Sequence, residues 1–204
     1  MNYFITGIGT DIGKTVIAAM LTEALEADYW KPIQSGDLNC SDTQKVQQLI
    51  SNTKTVFHPE TYRLTQPMSP HAAAKIDHTE INVSNIQLPP TNNHLIIEGA
   101  GGLMVPLNDQ HMIIDLIEQL NAEVILISQN YLGSINHTML SIEALKSRKL
   151  KIAGIIFNGI ENKETEAFIL NASGLACLGR VQQHETIDKN VILQYKNKFQ
   201  LHAT

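Results

Sequence analysis

The stretch "GIGTDIGKT" at residues 7–15 lies between an apolar run, "YFIT" at 3–6, and a stretch with helical spacing that starts at Lys14. A glycine-rich turn leading straight into a helix gathers free backbone N–H groups at one point. The helix dipole adds to their preference for an anion. Lys14 supplies a point charge for terminal phosphates, and Thr15 supplies a hydroxyl suited to Mg2+. The spacing departs from the usual G-x-x-x-x-G-K-[ST] loop. Ile8 stands where that pattern wants glycine, and five residues separate Gly7 from Gly13. The plainer alternative is a glycine turn before a helix that merely begins with Lys-Thr. Gly-Lys-Thr placed directly behind an apolar strand favours nucleotide binding over it.

Working outward, short apolar runs alternate with helical stretches. "YFIT" (3–6), "YWKPI" (29–33), "HLIIEG" (94–99), "EVILIS" (123–128) and "KIAGIIFN" (151–158) read as buried strands, and "ACLGRV" (176–181) as a further one. Residues 14–27, 112–120 and 135–149 carry apolar side chains at helical spacing. Strand then helix, repeated, predicts an α/β fold: three layers in the manner of P-loop NTPases, a mainly parallel sheet with helices on both faces, and one domain over 1–204. Residues 52–93 hold five of the seven prolines and show no clean period. They read as an excursion with a short helix after Pro70.

The 204 residues carry a net charge of −5 and no basic stripe, which argues against a nucleic-acid surface. The charge does not exclude a phosphate-rich small molecule, because surface charges are largely screened beyond about 8 Å. No apolar run is long enough to span a membrane, and the first residues do not resemble a secretory signal. Cys40 and Cys177 lack metal-ligand spacing, so they read as reduced thiols of a cytoplasmic protein.

In a parallel sheet, ligands sit at the carboxyl ends of the strands. "YWKPIQSG" brings Lys31 and Ser35 to the same rim as Lys14. In "CSDTQKV", Ser41 or Asp42 could cap a helix, and Asp42 could instead aim a carboxylate at a metal. Glu98 ends a strand so apolar that an unpaired charge there would be costly, and Mg2+ is a natural partner beside a phosphate loop. Gly99, Gly101 and Gly102 let the backbone approach a ligand closely. Gly133 and Ser134 open another helix, whose free N–H groups suit a carboxylate, with a simple N-cap as the alternative. His137, one turn on, reads as structural. Asn158 either reads a base edge or makes a turn with Gly159.

Taken together and in order, "TGIGTDIGKT", "KPIQSG", Ser41-Asp42, "SPHAA" (69–73), "EGAGGLMVPL" (98–107) and "LGSINHT" (132–138) resemble the dethiobiotin synthetases, ATP-dependent ligases of biotin synthesis. The phosphate loop with one extra residue is itself a mark of that family. The resemblance implies the cyclisation of 7,8-diaminopelargonate with CO2 or bicarbonate, driven by ATP and Mg2+, through a carbamate and a carbamic–phosphoric anhydride. It implies Lys14, Lys31 and Thr10 as catalytic residues. Asp11, Ile12, Gly13, Lys14, Thr15, Val16, Glu98, Gly101 and Asn158 would bind the nucleotide. Thr15, Asp42 and Glu98 would surround the metal. Thr10 and Ser35 would meet the substrate's amines and carbamate, and Gly133, Ser134, Ile135 and Asn136 its tail across a homodimer interface. The chain departs from the family pattern at four places. Asp11 replaces a common Glu, Tyr131 stands at an often basic position, Gly159 follows Asn158, and Gly179–Gln183 lacks the usual Gly-x-Ile-Pro of the base pocket. Partitioning and septum-positioning ATPases, a related class, carry a lysine near the start of the loop, where this chain has Thr6 and Gly7.

Overall fold

Burial alternates along the strands in a way that demands cover on both sides of a sheet. Tyr3, Ile5, Ile96 and Ile125 pack into one core cluster, whereas Phe4, Leu95, Ile97 and Val124 pack into another. Successive side chains of a strand point to opposite faces, so both faces are apolar and both need helices. The computed structural model describes residues 1–201. Its strands are β1 (Asn2–Gly7), β2 (Asp28–Trp30), β3 (Ile33–Ser35), β4 (Phe57–His58), β5 (Tyr62–Leu64), β6 (Leu95–Gly102), β7 (Glu123–Gln129), β8 (Ile152–Asn158) and β9 (Cys177–Val181). Seven of them form a sheet in the order β4-β2-β6-β1-β7-β8-β9, and β3 and β5 make a separate pair. Every pairing between named strands is parallel.

The helices are α1 (Lys14–Leu25), α2 (Asp42–Leu49), α3 (Pro70–Ile76), α4 (Ile113–Leu120), α5 (Ser134–Ser147), α6 (Lys163–Ser173) and α7 (Lys189–Gln194). Ile17, Met20 and Leu21 of α1, Val46 of α2 and Ile192 of α7 share one cluster. Ala73, Ile114, Ile117 and Leu145, from α3, α4 and α5, lie in the cluster on the other face, and Ile169 of α6 packs beside Leu126 and Phe157. This is the three-layer, P-loop NTPase-like architecture expected from the alternating pattern.

Three elements differ from the sequence reading. The strand expected over 29–33 stops at Trp30 and resumes at Ile33 in the second sheet. Pro32 lies at the break. It has no N–H for a ladder, and its carbonyl instead accepts from the amides of Thr61 and Tyr62. The proline-rich excursion is more structured than its composition suggests. It supplies β4, β5, a 3-10 turn at Val83–Asn85, and α3, which starts at Pro70 as expected. Helices α6 and α7 were not foreseen: α6 buries only Ile169 and Ser173 and leaves Phe168 54% exposed, so its apolar stripe is faint.

Candidate active site

The phosphate loop leaves β1 at Gly7 because no side chain fits there. A Cβ on Gly7 would lie 1.9 Å from Ile12 Cδ1. Ile12 is buried and packs in the same cluster as α1, which fastens the middle of the loop to the core. The longer first half of the loop therefore bulges outward, and Thr10 and Asp11 are exposed at its crest. Asp11 and Gly13 have positive φ, 56° and 88°. No side chain caps α1 at Gly13, so its first amides stay available for an anion. Asn158, at the end of β8, donates from Nδ2 to the Ile12 carbonyl at 2.8 Å. A Cβ on Gly13 would meet that same Nδ2 at 2.3 Å. The asparagine thus braces the loop with its amide nitrogen.

Lys14 and Val16 follow, and both line a cavity of about 800 Å3 with Thr10, Asp11, Gly13 and Thr15. Lys14 is buried and donates from Nζ to the Gly9 carbonyl at 2.9 Å, folding back over its own loop. Burial lowers its pKa from the ordinary lysine value, although Glu98 pulls the other way.

Glu98 lies at the centre of the charges. It pairs with Ile5 in the β1–β6 register and is 1% exposed. Its Oε1 accepts from Thr15 Oγ1 at 2.8 Å and from Lys31 Nζ at 3.0 Å, and its Oε2 accepts from the Tyr29 hydroxyl at 2.7 Å. Tyr29 and Lys31 are two residues apart along the strand path, which turns both toward the same carboxylate. Tyr29 went unremarked in the sequence; its spacing from Lys31 was the available signal. Burial, and then the Glu98 charge, push its pKa well above the ordinary tyrosine value.

Lys31 also meets Asp42, with Nζ 2.5 Å from Oδ2. The two readings of Asp42 separate here. The cap of α2 is Ser41, in a capping box with Gln44. Gln34 Oε1 accepts from the Asp42 amide at 3.1 Å and fixes the start of the helix. The Asp42 carboxylate is left free to face the cavity, where Lys45 reaches its Oδ1 at 3.2 Å. Burial alone would raise the Asp42 pKa and lower that of Lys31. The mutual charges outweigh it, so Asp42 is held below the usual carboxylate range and Lys31 above the usual lysine value.

Ser35 and Gly101 complete this cavity. Ser35 Oγ is buried and has no hydrogen-bond partner among the described residues, an unusual condition for a hydroxyl unless something else binds it. Gly101 has φ of 76°, and a Cβ there would press on Val105 at 2.7 Å. Asp42 and Glu98 share one ammonium and Thr15 is bonded to Glu98, and hard oxygen ligands beside a phosphate loop fit Mg2+.

The structure does not bring Gly133–Asn136 into that cavity. Gly133, Ser134 and Ile135 line a second one, of about 490 Å3, with Tyr131, Leu132 and Ile160. Gly133, with φ of 102°, is the N-cap of α5 and offers no side-chain cap, while Ser134 is the first helical residue and is buried. The amides of Ile135 and Asn136 precede any intrahelical acceptor. His137 Nδ1 lies 2.8 Å from the Tyr131 hydroxyl, which accounts for the histidine structurally. Around this cavity Leu132 is 103% exposed and Ile160 71%.

A family model described as an AAA domain matches residues 1–191. The chain is 54% identical to the ATP-dependent dethiobiotin synthetase BioD of Christiangramia forsetii, over 97% of this chain and 95% of that protein. It is 51% identical to that of Cytophaga hutchinsonii, over 97% and 96%. Among solved structures it is similar to a plasmid partition protein from Borrelia burgdorferi, with a TM-score of 0.57 at 12% identity over 96% of this chain and 94% of that one. It is also similar to the septum site-determining protein MinD of Pyrococcus horikoshii, with a TM-score of 0.56 at 12% identity over 96% and 95%. At that identity the structural likeness concerns the fold alone. The sequence relatives decide the family: the chain belongs to the ATP-dependent dethiobiotin synthetases.

Proposed function

We propose that this chain is an ATP-dependent ligase that closes the cyclic urea of dethiobiotin from 7,8-diaminopelargonate and CO2. The observation that carries the reading is the convergence of Lys14, Lys31, Glu98 and Asp42 on one cavity beside the unpartnered Ser35 hydroxyl. One amine of the substrate takes up CO2 and loses a proton, giving a carbamate. A carbamate oxygen attacks the γ-phosphorus of ATP, and ADP leaves. The second amine then attacks the carbonyl carbon of the mixed anhydride, and inorganic phosphate leaves as the ring closes.

The protein's own contribution is position and charge. The loop amides from Gly13 to Val16 hold the phosphate chain, with Asp11 and Ile12 shaping the turn before them. Asn158 keeps that loop in place and leaves its amide oxygen for the base. Lys14 stabilises the phosphoryl group in transfer. Lys31 stabilises the carbamate and the same phosphoryl oxygens. Ser35 and Thr10 hold the amines and carbamate, and the Gly101 backbone lies close to the reacting groups. Thr15, Asp42 and Glu98 would hold Mg2+, which neutralises phosphate charge when bound. The α5 N-terminus, from Gly133 to Asn136, receives the substrate's carboxylate tail. Because that N-terminus lines a different cavity, a second copy of the chain supplies it to the substrate, and the enzyme works as a homodimer. Among the described residues no helix is long and apolar enough to cross a membrane, and the two cysteines are free; both features accord with a cytoplasmic enzyme.

The test is a complete reaction with ATP, Mg2+, bicarbonate and the diamine, followed by mass. Dethiobiotin should form in step with phosphate release, and omitting the diamine should stop both. Fast phosphate release without the diamine would reject the reading.

A further inference from the structure

The three protein groups assigned to Mg2+ do not stand open. Lys31 Nζ lies between two of them, 3.0 Å from Glu98 Oε1 and 2.5 Å from Asp42 Oδ2, and the Thr15 hydroxyl is bonded to that same Glu98 oxygen. Lys31 is 4% exposed and Glu98 1%. Two carboxylates held this close, one buried and the other with its side chain 19% exposed, repel each other unless a cation sits between them. In this structure the Lys31 ammonium holds that position. The role proposed for Lys31 in the reaction asks for something else, namely N–H groups aimed at the carbamate and the phosphoryl oxygens in the cavity. An ammonium has three donors, and two are committed to the carboxylates.

We infer that Lys31 is a resident counter-cation that competes with Mg2+ for Asp42 and Glu98, and turns to the substrate only when the metal takes its place. The inference rests on the reading of the site given above. It gives the reaction an order. Among the described residues no three acidic, His or Cys groups cluster to hold a metal, so the protein without nucleotide offers Mg2+ two carboxylates already paired. Phosphate oxygens must supply the remaining ligands and tip the competition. The lysine is then released as the nucleotide and its metal bind, which keeps the carbamate-stabilising charge engaged elsewhere until a phosphoryl donor is in place. Lys45 contributes to the exchange from the cavity wall. Its contact with Asp42 Oδ1 holds that carboxylate in position when Lys31 leaves Oδ2.

The test is metal binding without nucleotide. Titration calorimetry with MgCl2 should find weak binding to the parent protein. In Lys31→Met the freed carboxylates should bind Mg2+ at least about tenfold more tightly, since an opposing charge a few Å away has been removed. Mg2+ should also raise the melting temperature of the variant and leave that of the parent nearly unchanged. Adding Glu98→Gln to Lys31→Met should remove the gain. Equal affinities in parent and Lys31→Met would overturn the inference. A second measurement needs no variant and covers the case in which Lys31→Met fails to fold. With lysine isotope-labelled at the side-chain nitrogen, the buried Lys31 ammonium should give a protected NMR signal that moves or broadens with ADP and Mg2+ together but not with ADP alone. A signal unmoved by the saturated complex would equally overturn it. These results stand apart from the ligase assignment. Metal competition without dethiobiotin formation would reject the substrate and leave the exchange standing, and the reverse pattern would reject only the exchange.

Discussion

The two cavities at the carboxyl edge of the sheet are built on opposite principles. The one between β1, β3 and β6 holds a paired charge cluster, in which Glu98 joins Lys31 and Tyr29 and Lys31 joins Asp42. The one beside β7 and β8 has little charge and much exposed apolar surface at Leu132, Ile160 and Tyr131. Buried, mutually fixed charges are what transition-state stabilisation needs, because they cost no reorganisation at the moment of reaction. Exposed apolar side chains around a helix N-terminus suit a surface that another chain covers. On the proposed function, chemistry belongs to the first region and docking to the second, and each can be broken without the other.

The largest effect is expected at Lys14. Replacing it with Ala should lower kcat by at least about 10²–10³, as loss of one preorganised charge contact does, while circular dichroism stays unchanged. The same lysine should set the alkaline limb of kcat/KM, which reports the free enzyme. Its charged form is the active one and burial lowers its pKa, so activity should fall with rising pH below the ordinary lysine value of about 10.4. A profile flat through that value would remove Lys14 from the chemistry.

Glu98→Ala comes next, and its effect is on the fold as well as the rate. Removing the carboxylate leaves Lys31 with Asp42 as its remaining partner and takes the acceptor from the buried Tyr29 hydroxyl, an unsatisfied group worth about 1–3 kcal/mol. Urea unfolding should show the loss as a lower midpoint. A midpoint within error of the parent would mean that the charges of the first cavity are not interdependent.

The second region should respond in the opposite way. Leu132→Glu touches a fully exposed side chain, so the unfolding free energy of the protomer should hold within the about 0.5 kcal/mol usual for surface changes. Sedimentation should instead show dissociation of the proposed dimer, and KM for the diamine should rise. An intact dimer would place the interface elsewhere.

The smallest effect belongs to Ser35→Ala. The hydroxyl has no partner among the described residues, so its removal should leave stability unchanged and raise KM for the diamine by the worth of one hydrogen bond, about 1 kcal/mol or fivefold. A clear fall in stability would show that the hydroxyl serves the fold.

The order of the motifs carried a good deal of this. A phosphate loop behind an apolar strand, and an acid at the end of another, are legible because a parallel sheet delivers strand ends to one rim. Asp42 was legible only as two alternatives. Capping and metal ligation make the same demand on local sequence, and the choice depended on Ser41 forming the cap. Tyr29 was missed since an aromatic residue in a strand is ordinarily core. Its hydroxyl matters only because β2 lies beside β6. Helix α6 was missed because its burial comes from packing on β7 and β8 more than from a clean stripe of its own.

The sequence by itself determined the alternating architecture, the anion-binding turn at Gly7–Thr15 and the membership of Lys31 and Glu98 in one rim, since period and strand-end position are local properties. Tertiary structure alone decided which charges meet. Lys31 and Glu98 are 67 residues apart in the chain, and no local rule brings them within 3.0 Å. It also separated the α5 N-terminus from the phosphate cavity. Where a residue sits along the chain fixes its strand, but the neighbour order β2-β6-β1-β7 fixes what it touches, because non-local pairing is settled by packing both faces of the sheet at once.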